Sequence, residues 1–167
     1  MKINLHNYDL PNKIKMNNCI AIDSETMGLN PKRDKLCLVQ ISNGDDICHL
    51  IKIDIEKKKP LNLIKLLKDK NIQKILHYAR FDVAVFKQNF KINIKNIYCT
   101  KIASKLVRTY TDKHGYKDLC SELLGKSISK TEQSSDWGGE LSKEHQLQHT
   151  FVDPCLTPHP SQKIAPF

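Results

Sequence analysis

Apolar and polar positions along this chain fall into short blocks, and the period of the blocks changes partway. Residues 18–23, NCIAID, place the β-branched Ile20 and Ile22 two apart and predict a strand. KLCLVQIS (35–42) and ICHLIKI (47–53) predict two more, separated by NGDD, a strong hairpin signal. The three together predict an antiparallel meander. From residue 60 the spacing becomes helical. PLNLIKLLKD (60–69) sets Leu63, Ile64, Leu66 and Leu67 on one face, with Pro60 suited to a first turn. IQKILHY (72–78) reads as a short strand and ARFDVAVFKQNF (79–90) as a helix carrying Phe81, Val85, Phe86 and Phe90. NIYCT (96–100) reads as a strand, KIASKLVRTY (101–110) as a helix, and GYKDLCSELLG (115–125) as a helix closed by Gly125. SDWGGE (135–140) predicts a loop and LSKEHQLQHTFV (141–152) a final helix. Three strands followed by alternating helices and strands predict an α/β fold with a mixed sheet covered by helices.

Composition narrows the setting. The 167 residues suffice for one domain with a hydrophobic core, and the net charge of +9 favours an anionic partner, nucleic acid first among them. A solvated lysine-rich surface would give the same balance, and the lysines are spread rather than gathered in a tail. The six cysteines form no CxxC pair, and several sit inside apolar runs, as in LCLVQI and DICHLI. They read as small buried hydrophobes in a reducing compartment. No signal-peptide core opens the chain and no apolar run reaches the roughly 20 residues of a membrane helix, so the expected location is cytoplasmic, with no membrane partner.

The chemistry concentrates in carboxylates. Asp23 and Glu25 end the first predicted strand in IAIDSETMGL, two apart and therefore on one face if the strand persists. Like charges so placed repel unless a cation intervenes, and no Lys or Arg occurs at 21–27. A divalent metal held by hard oxygens and a solvated strand end both fit DxE taken alone. Asp82, in HYARFDVAVF, opens an apolar helix, where the helix dipole also favours an acid. Asp153, in LQHTFVD, follows His149 by four residues, the spacing of an ordinary surface pair.

In order along the chain, these stretches resemble the three motifs of the DEDD 3′–5′ exonuclease superfamily. The likeness is to the ribonuclease D group (DEDDy branch) in a short form without the HRDC domain. IDSETMGL resembles motif one and HYARFDVAVF motif two, including the leading His77. LVRTYTDKHGYKDL and SISKTEQSSDW resemble the stretch before motif three, and LQHTFVD stands in its place. The resemblance implies a ribonuclease H-like exonuclease fold. It implies two divalent cations, Mg2+ or Mn2+, held by Asp23, Glu25, Asp82 and Asp153. Two metals about 3.5–4 Å apart can serve both oxygens of an in-line phosphodiester displacement. The implied activity is metal-dependent 3′–5′ exoribonuclease action on a single-stranded RNA 3′ end, of the tRNA-processing type, releasing nucleoside monophosphates. DNA is an alternative substrate. The resemblance implies substrate-binding roles for Thr26, which completes the DxET of motif one, for His77, which leads motif two, and for Lys130, Gln133 and Trp137, which match family positions at the site rim. Met27 and Leu29 either contact the terminal base or pack in the core, and Trp137 either lines the rim or anchors the structure.

Motif three departs from the family. His149 stands where the resemblance places a water-positioning tyrosine. A sister branch uses histidine as general base at a spacing of five, so the residue type suits the chemistry. After Asp153 the chain reads PCLTPHPSQKIAPF, with prolines that forbid a continuous helix. The expectation is an exonuclease domain over 1–153, incomplete at its C-terminal end, followed by a Pro-rich aberrant or disordered tail over 154–167. With it goes a rival reading, a catalytically impaired remnant that still binds single-stranded nucleic acid. The oligomeric state is left open.

Overall fold

The computed structural model describes residues 2–127. Six strands form one sheet: β1 (Lys2–Asn7), β2 (Cys19–Thr26), β3 (Leu36–Ser42), β4 (Ile47–Lys52), β5 (Gln73–Leu76) and β6 (Ile97–Cys99). Their spatial order is β1-β4-β3-β2-β5-β6. β3 runs antiparallel to both neighbours, and the other pairings are parallel. The expected meander is therefore β2–β3–β4, and its hairpin is NGDD, where Gly44 and Asp46 take the left-handed conformation such a turn requires.

The periodic reading did not include β1. KINLHN alternates, but its side chains are exposed or half-buried, so its apolar signal is weak. It is held as an edge strand by parallel pairing with β4, from Lys2 opposite Ile47 to Asn7 opposite Lys52. Hydrogen bonding to a partner more than forty residues away defines it, and local periodicity does not report that.

Four helices follow the predicted order: α1 (Leu61–Lys68), α2 (Arg80–Phe90), α3 (Thr100–Val107) and α4 (Tyr116–Leu124). α4 ends on Gly125 at φ 64, as its position predicts. α3 stops at Val107, short of the expected Tyr110. Arg108 instead leaves the helix and turns its buried guanidinium to Ser104 Oγ, Lys113 O and Glu122. That network ties α3 to α4 and outweighs the helical propensity of the next residues.

The main core lies between one face of the sheet and α1 and α2. It joins Ile20, Ile22, Val39, Ile41 and Ile51 to Leu63, Leu67, Val85, Phe86 and Phe90. Leu38, Cys48 and Leu50 form a second cluster with Ile3. Cys37, Cys48 and Cys120 are buried, and the five described cysteines are free thiols. Among the described residues, no helix is long and apolar enough to cross a membrane. The predicted loop at 135–140 and final helix at 141–152 lie outside the described residues.

Candidate active site

β2 carries the core on its first half and the chemistry on its second. Ile20, Ala21 and Ile22 are buried, and the strand then continues through Asp23, Ser24, Glu25 and Thr26. The pairing Asp23–Gln40 and Glu25–Leu38 persists before the register shifts between Glu25 and Thr26. Asp23 and Glu25 thus remain in the strand, both half-buried, as their spacing predicts. β5 pairs parallel beside β2, with Ala21 opposite Ile75, and leads into α2. The first turn of α2 brings Asp82, only 4% exposed, to the same end of the sheet.

Ser24 makes the connection. Its hydroxyl donates to Asp82 Oδ1 at 2.6 Å, inside the protein. In the sequence, Ser24 is marked only as a small hydroxyl residue enclosed by two carboxylates.

The three carboxylates share one electrostatic field. Burial pushes Asp23 up to about 6, partly offset by the Ser24 backbone amide. Burial, then the charges of Asp23 and Asp82, push Glu25 up to about 8. Burial and the Asp23 charge push Asp82 up to about 8, against the pull of the Ser24 hydroxyl. All three resist ionising because water is withdrawn, and Glu25 and Asp82 also because their neighbours are negative. A cation would reverse both effects, and carboxylate oxygens are the donors that hard divalent metals prefer. Among the described residues, no group of three or more His, Cys, Asp or Glu is arranged to hold a metal ion. Asp153, the fourth expected ligand, and His149 lie outside the described residues, as do Lys130, Gln133 and Trp137. The donor chemistry suits divalent cations, but Asp23, Glu25 and Asp82 alone are not arranged as a metal site, and the fourth expected ligand lies outside the described residues.

Beyond β2 the chain forms a braced turn. Thr26 donates its hydroxyl to Gly28 O, and Met27 N donates to Lys35 O at 3.0 Å. The Asp34 carboxylate accepts from Asn30 N at 2.9 Å and lies so close to Gly28 that a β-carbon there would collide with it. A side chain at 28 would have to displace the Asp34 carboxylate. The turn presents Met27 (59% exposed) and Leu29 (89% exposed) outward, so neither packs in the core.

His77 is half-buried at the end of β5. Its Nδ1 lies 2.9 Å from Thr100 Oγ1, and its ring centre lies 5.6 Å from that of Tyr116. The Thr100 hydroxyl reaches Leu76 O at 3.3 Å, so with its proton directed there the imidazole donates through Nδ1–H. Burial and the nearby Lys101 charge push its pKa down to about 4. His77 therefore joins the β5–α2 junction to the starts of α3 and α4.

A family model described as 3′–5′ exonuclease matches residues 6–157, most of the chain. This chain belongs to the 3′–5′ exonuclease family. Its likeness is to short ribonuclease D-like members of the DEDD superfamily, and the mixed sheet with helices is their ribonuclease H-like fold. The structure of NrnC from Brucella melitensis superposes with a TM-score of 0.86 at 50% identity, covering 93% of this chain and 77% of that one. NrnC has also been solved with bound Mg2+ and bound to pGG. Ribonuclease D of Gluconacetobacter diazotrophicus is 29% identical over 138 residues, covering 80% of this chain and 34% of that protein. DNA polymerase I of Aquifex aeolicus is 30% identical over 134 residues, 80% of this chain and 21% of the polymerase. The chain therefore spans about a third of the length of the ribonuclease D relative.

Proposed function

We propose that this chain is a metal-dependent 3′–5′ exoribonuclease that removes nucleoside monophosphates from RNA 3′ ends. The observation that carries the reading is the convergence of Asp23 and Glu25 from β2 with Asp82 from α2 at one end of the sheet. There, burial and the Asp23 charge raise the proton affinity of Glu25 and Asp82. Asp23, Glu25, Asp82 and Asp153 would hold two divalent cations, Mg2+ or Mn2+, which would supply charge for activating a water and for the departing 3′ oxygen. The chain's own residues do the rest. Ser24 fixes the Asp82 carboxylate, and the braced turn presents Met27 and Leu29 where a terminal base can lie against them. His149 would accept the proton of the attacking water. We take the exonuclease domain to span residues 1–153.

The test is digestion of 5′-labelled RNA in Mn2+ or Mg2+, with Asp23→Ala as control. A ladder of shortened products that the variant and EDTA both abolish is expected. Intact RNA at high enzyme concentration would end the exonuclease reading in favour of a binding remnant.

The 50% identity to NrnC, which was solved bound to pGG, favours a second reading in which very short RNA is the preferred substrate. The likeness to a DNA polymerase I keeps DNA among the substrates to compare. Turnover of pGG, a 20-residue RNA and its DNA counterpart, side by side, separates the three by their kcat/KM.

A further inference from the structure

Tyr78 occupies the junction between β5 and α2 with φ 60, the left-handed region that a bulky residue with a β-carbon rarely adopts. Burial does not account for this. The ring is 43% exposed and belongs to neither core cluster. Two cations stand against it instead. Lys101 Nζ, from the first turn of α3, lies 4.4 Å from the ring centre. Arg80 Cζ, from the start of α2, lies 5.6 Å away, and Arg80 Nη2 donates to the Tyr78 hydroxyl at 3.0 Å. Arg80 is itself exposed.

The left-handed residue closes the strand-to-helix turn, with Phe81 N donating to Tyr78 O at 3.1 Å, and leaves the ring on the surface. An exposed aromatic ring flanked by two cations matches the needs of single-stranded nucleic acid, a flat face for a base and positive charge for the phosphate beside it. The position agrees. Tyr78 follows β5 and lies four residues before Asp82. Because β5 runs parallel beside β2, both strands deliver their next residues to the same end of the sheet. Strand, left-handed residue and helix therefore carry Tyr78 to the end of the sheet at which the carboxylates stand.

We propose that Tyr78, Arg80 and Lys101 form a nucleotide subsite next to the carboxylate centre, in which the Tyr78 ring stacks a base and the two cations hold the adjoining phosphate. This rests on the exonuclease reading for the identity of the ligand.

Left-handed backbone suits asparagine far better than tyrosine, and that makes a discriminating variant. Binding of a 5′-fluorescein-labelled oligoribonucleotide is measured by anisotropy, with Ca2+ as the only divalent ion, for the unchanged protein and Tyr78→Asn, Tyr78→Phe and Lys101→Gln. Thermal unfolding is followed in parallel. Tyr78→Asn is expected to bind about tenfold more weakly while its Tm holds or rises. Tyr78→Phe should stay within about twofold, since the ring remains. Lys101→Gln should weaken binding and flatten the slope of log affinity against log salt by about 0.7, one phosphate contact on a single strand. The proposal is overturned if Tyr78→Asn binds like the unchanged protein, if Tyr78→Phe loses as much as Tyr78→Asn, if Tm falls with Tyr78→Asn, or if the unchanged protein binds no oligonucleotide. The product ladder is read separately. Binding through Tyr78 without shortened products sinks the exonuclease reading and leaves the subsite, whereas cutting with a KM indifferent to Tyr78→Asn does the reverse.

Discussion

Ser24 and Asp82, 58 positions apart in the chain, meet through a 2.6 Å hydrogen bond inside the protein. The residue between the two β2 carboxylates is thereby the one that holds the third. Groups that orient metal-binding carboxylates typically change metal affinity or activity by about 10–100-fold when removed. Ser24→Ala should raise the Mn2+ concentration needed for half-maximal exonuclease activity by about that factor, with Ser24→Thr retaining more activity than Ser24→Ala. A Mn2+ titration of each variant reads this directly, and an unchanged Mn2+ requirement would remove Ser24 from the site.

The clustered carboxylates predict how stability follows pH. Asp23, Glu25 and Asp82 have folded-state pKa values raised from 3.8 to about 6, from 4.5 to about 8 and from 3.8 to about 8. The metal-free folded chain thus binds protons more tightly than the unfolded chain, so these groups lower stability progressively as pH rises from about 4 to about 8. A divalent cation should offset that loss. Differential scanning fluorimetry in EDTA should show Tm falling across this window. Mn2+ should raise Tm more at pH 8 than at pH 5, and Asp23→Asn should raise the metal-free Tm at pH 8 while abolishing cleavage. A metal-free Tm that climbs from pH 5 to pH 8 and ignores Asp23→Asn would contradict the electrostatic account.

Met27 and Leu29 are held outward by a turn that Gly28 and Asp34 brace. If they lie against the terminal base, Leu29→Ala should raise KM several-fold with little change in Tm, because the side chain is 89% exposed and supports no core. Gly28→Ala should disturb both, since its β-carbon would displace the Asp34 carboxylate. Steady-state kinetics beside a melting curve separates these outcomes.

His77 carries a different signature. Its imidazole is kept neutral by burial, with the pKa pushed down from 6.5 to about 4. The folded chain therefore binds fewer protons here than the unfolded chain below pH 6.5, and stability is lost as pH falls from about 6.5 toward 4. His77→Leu should remove this acid sensitivity and break the contact with Thr100, at a cost of about 1–2 kcal/mol near pH 7.5. Thr100→Val should cost a similar amount, and the double variant less than the two together, because both lose one interaction. Urea unfolding of the four proteins at pH 7.5 and pH 5 checks both statements. Strict additivity would refute the link.

His149, outside the described residues, is open to kinetic test. As a general base, His149→Tyr should move the acid limb of the pH profile of kcat/KM, since a phenol titrates far from an imidazole. An unmoved profile with raised activity would identify His149 as a defect at that position.

Much of the fold was legible because it rests on local pattern. The apolar period changes at residue 60, Gly125 ends α4, and NGDD folds the hairpin, each through preferences that neighbouring residues impose. Asp23, Glu25 and Asp82 could be picked out as a set by their order and surroundings, and β2 and α2 do bring them to one end of the sheet. β1 was hidden because an edge strand is recognised by its pairing with β4. Ser24, Asp34 and Lys101 were hidden because their partners are distant, or because nothing in their own type marks them. Leu29 was ambiguous until its exposure excluded the core, since an apolar residue in sequence says nothing of which side of a turn it takes.

The sequence by itself determined the order of elements from β2 to α4, the positive charge and the motif carboxylates as candidates, because periodicity, composition and motif order survive in one dimension. Only the tertiary structure decided that Ser24 steadies Asp82, that His77 is a neutral link between helices, and that Tyr78 stands exposed in a left-handed turn with two cations near its ring. Those properties belong to contacts closed across the sheet, where burial sets the cost of each charge, and no local stretch of chain carries that information.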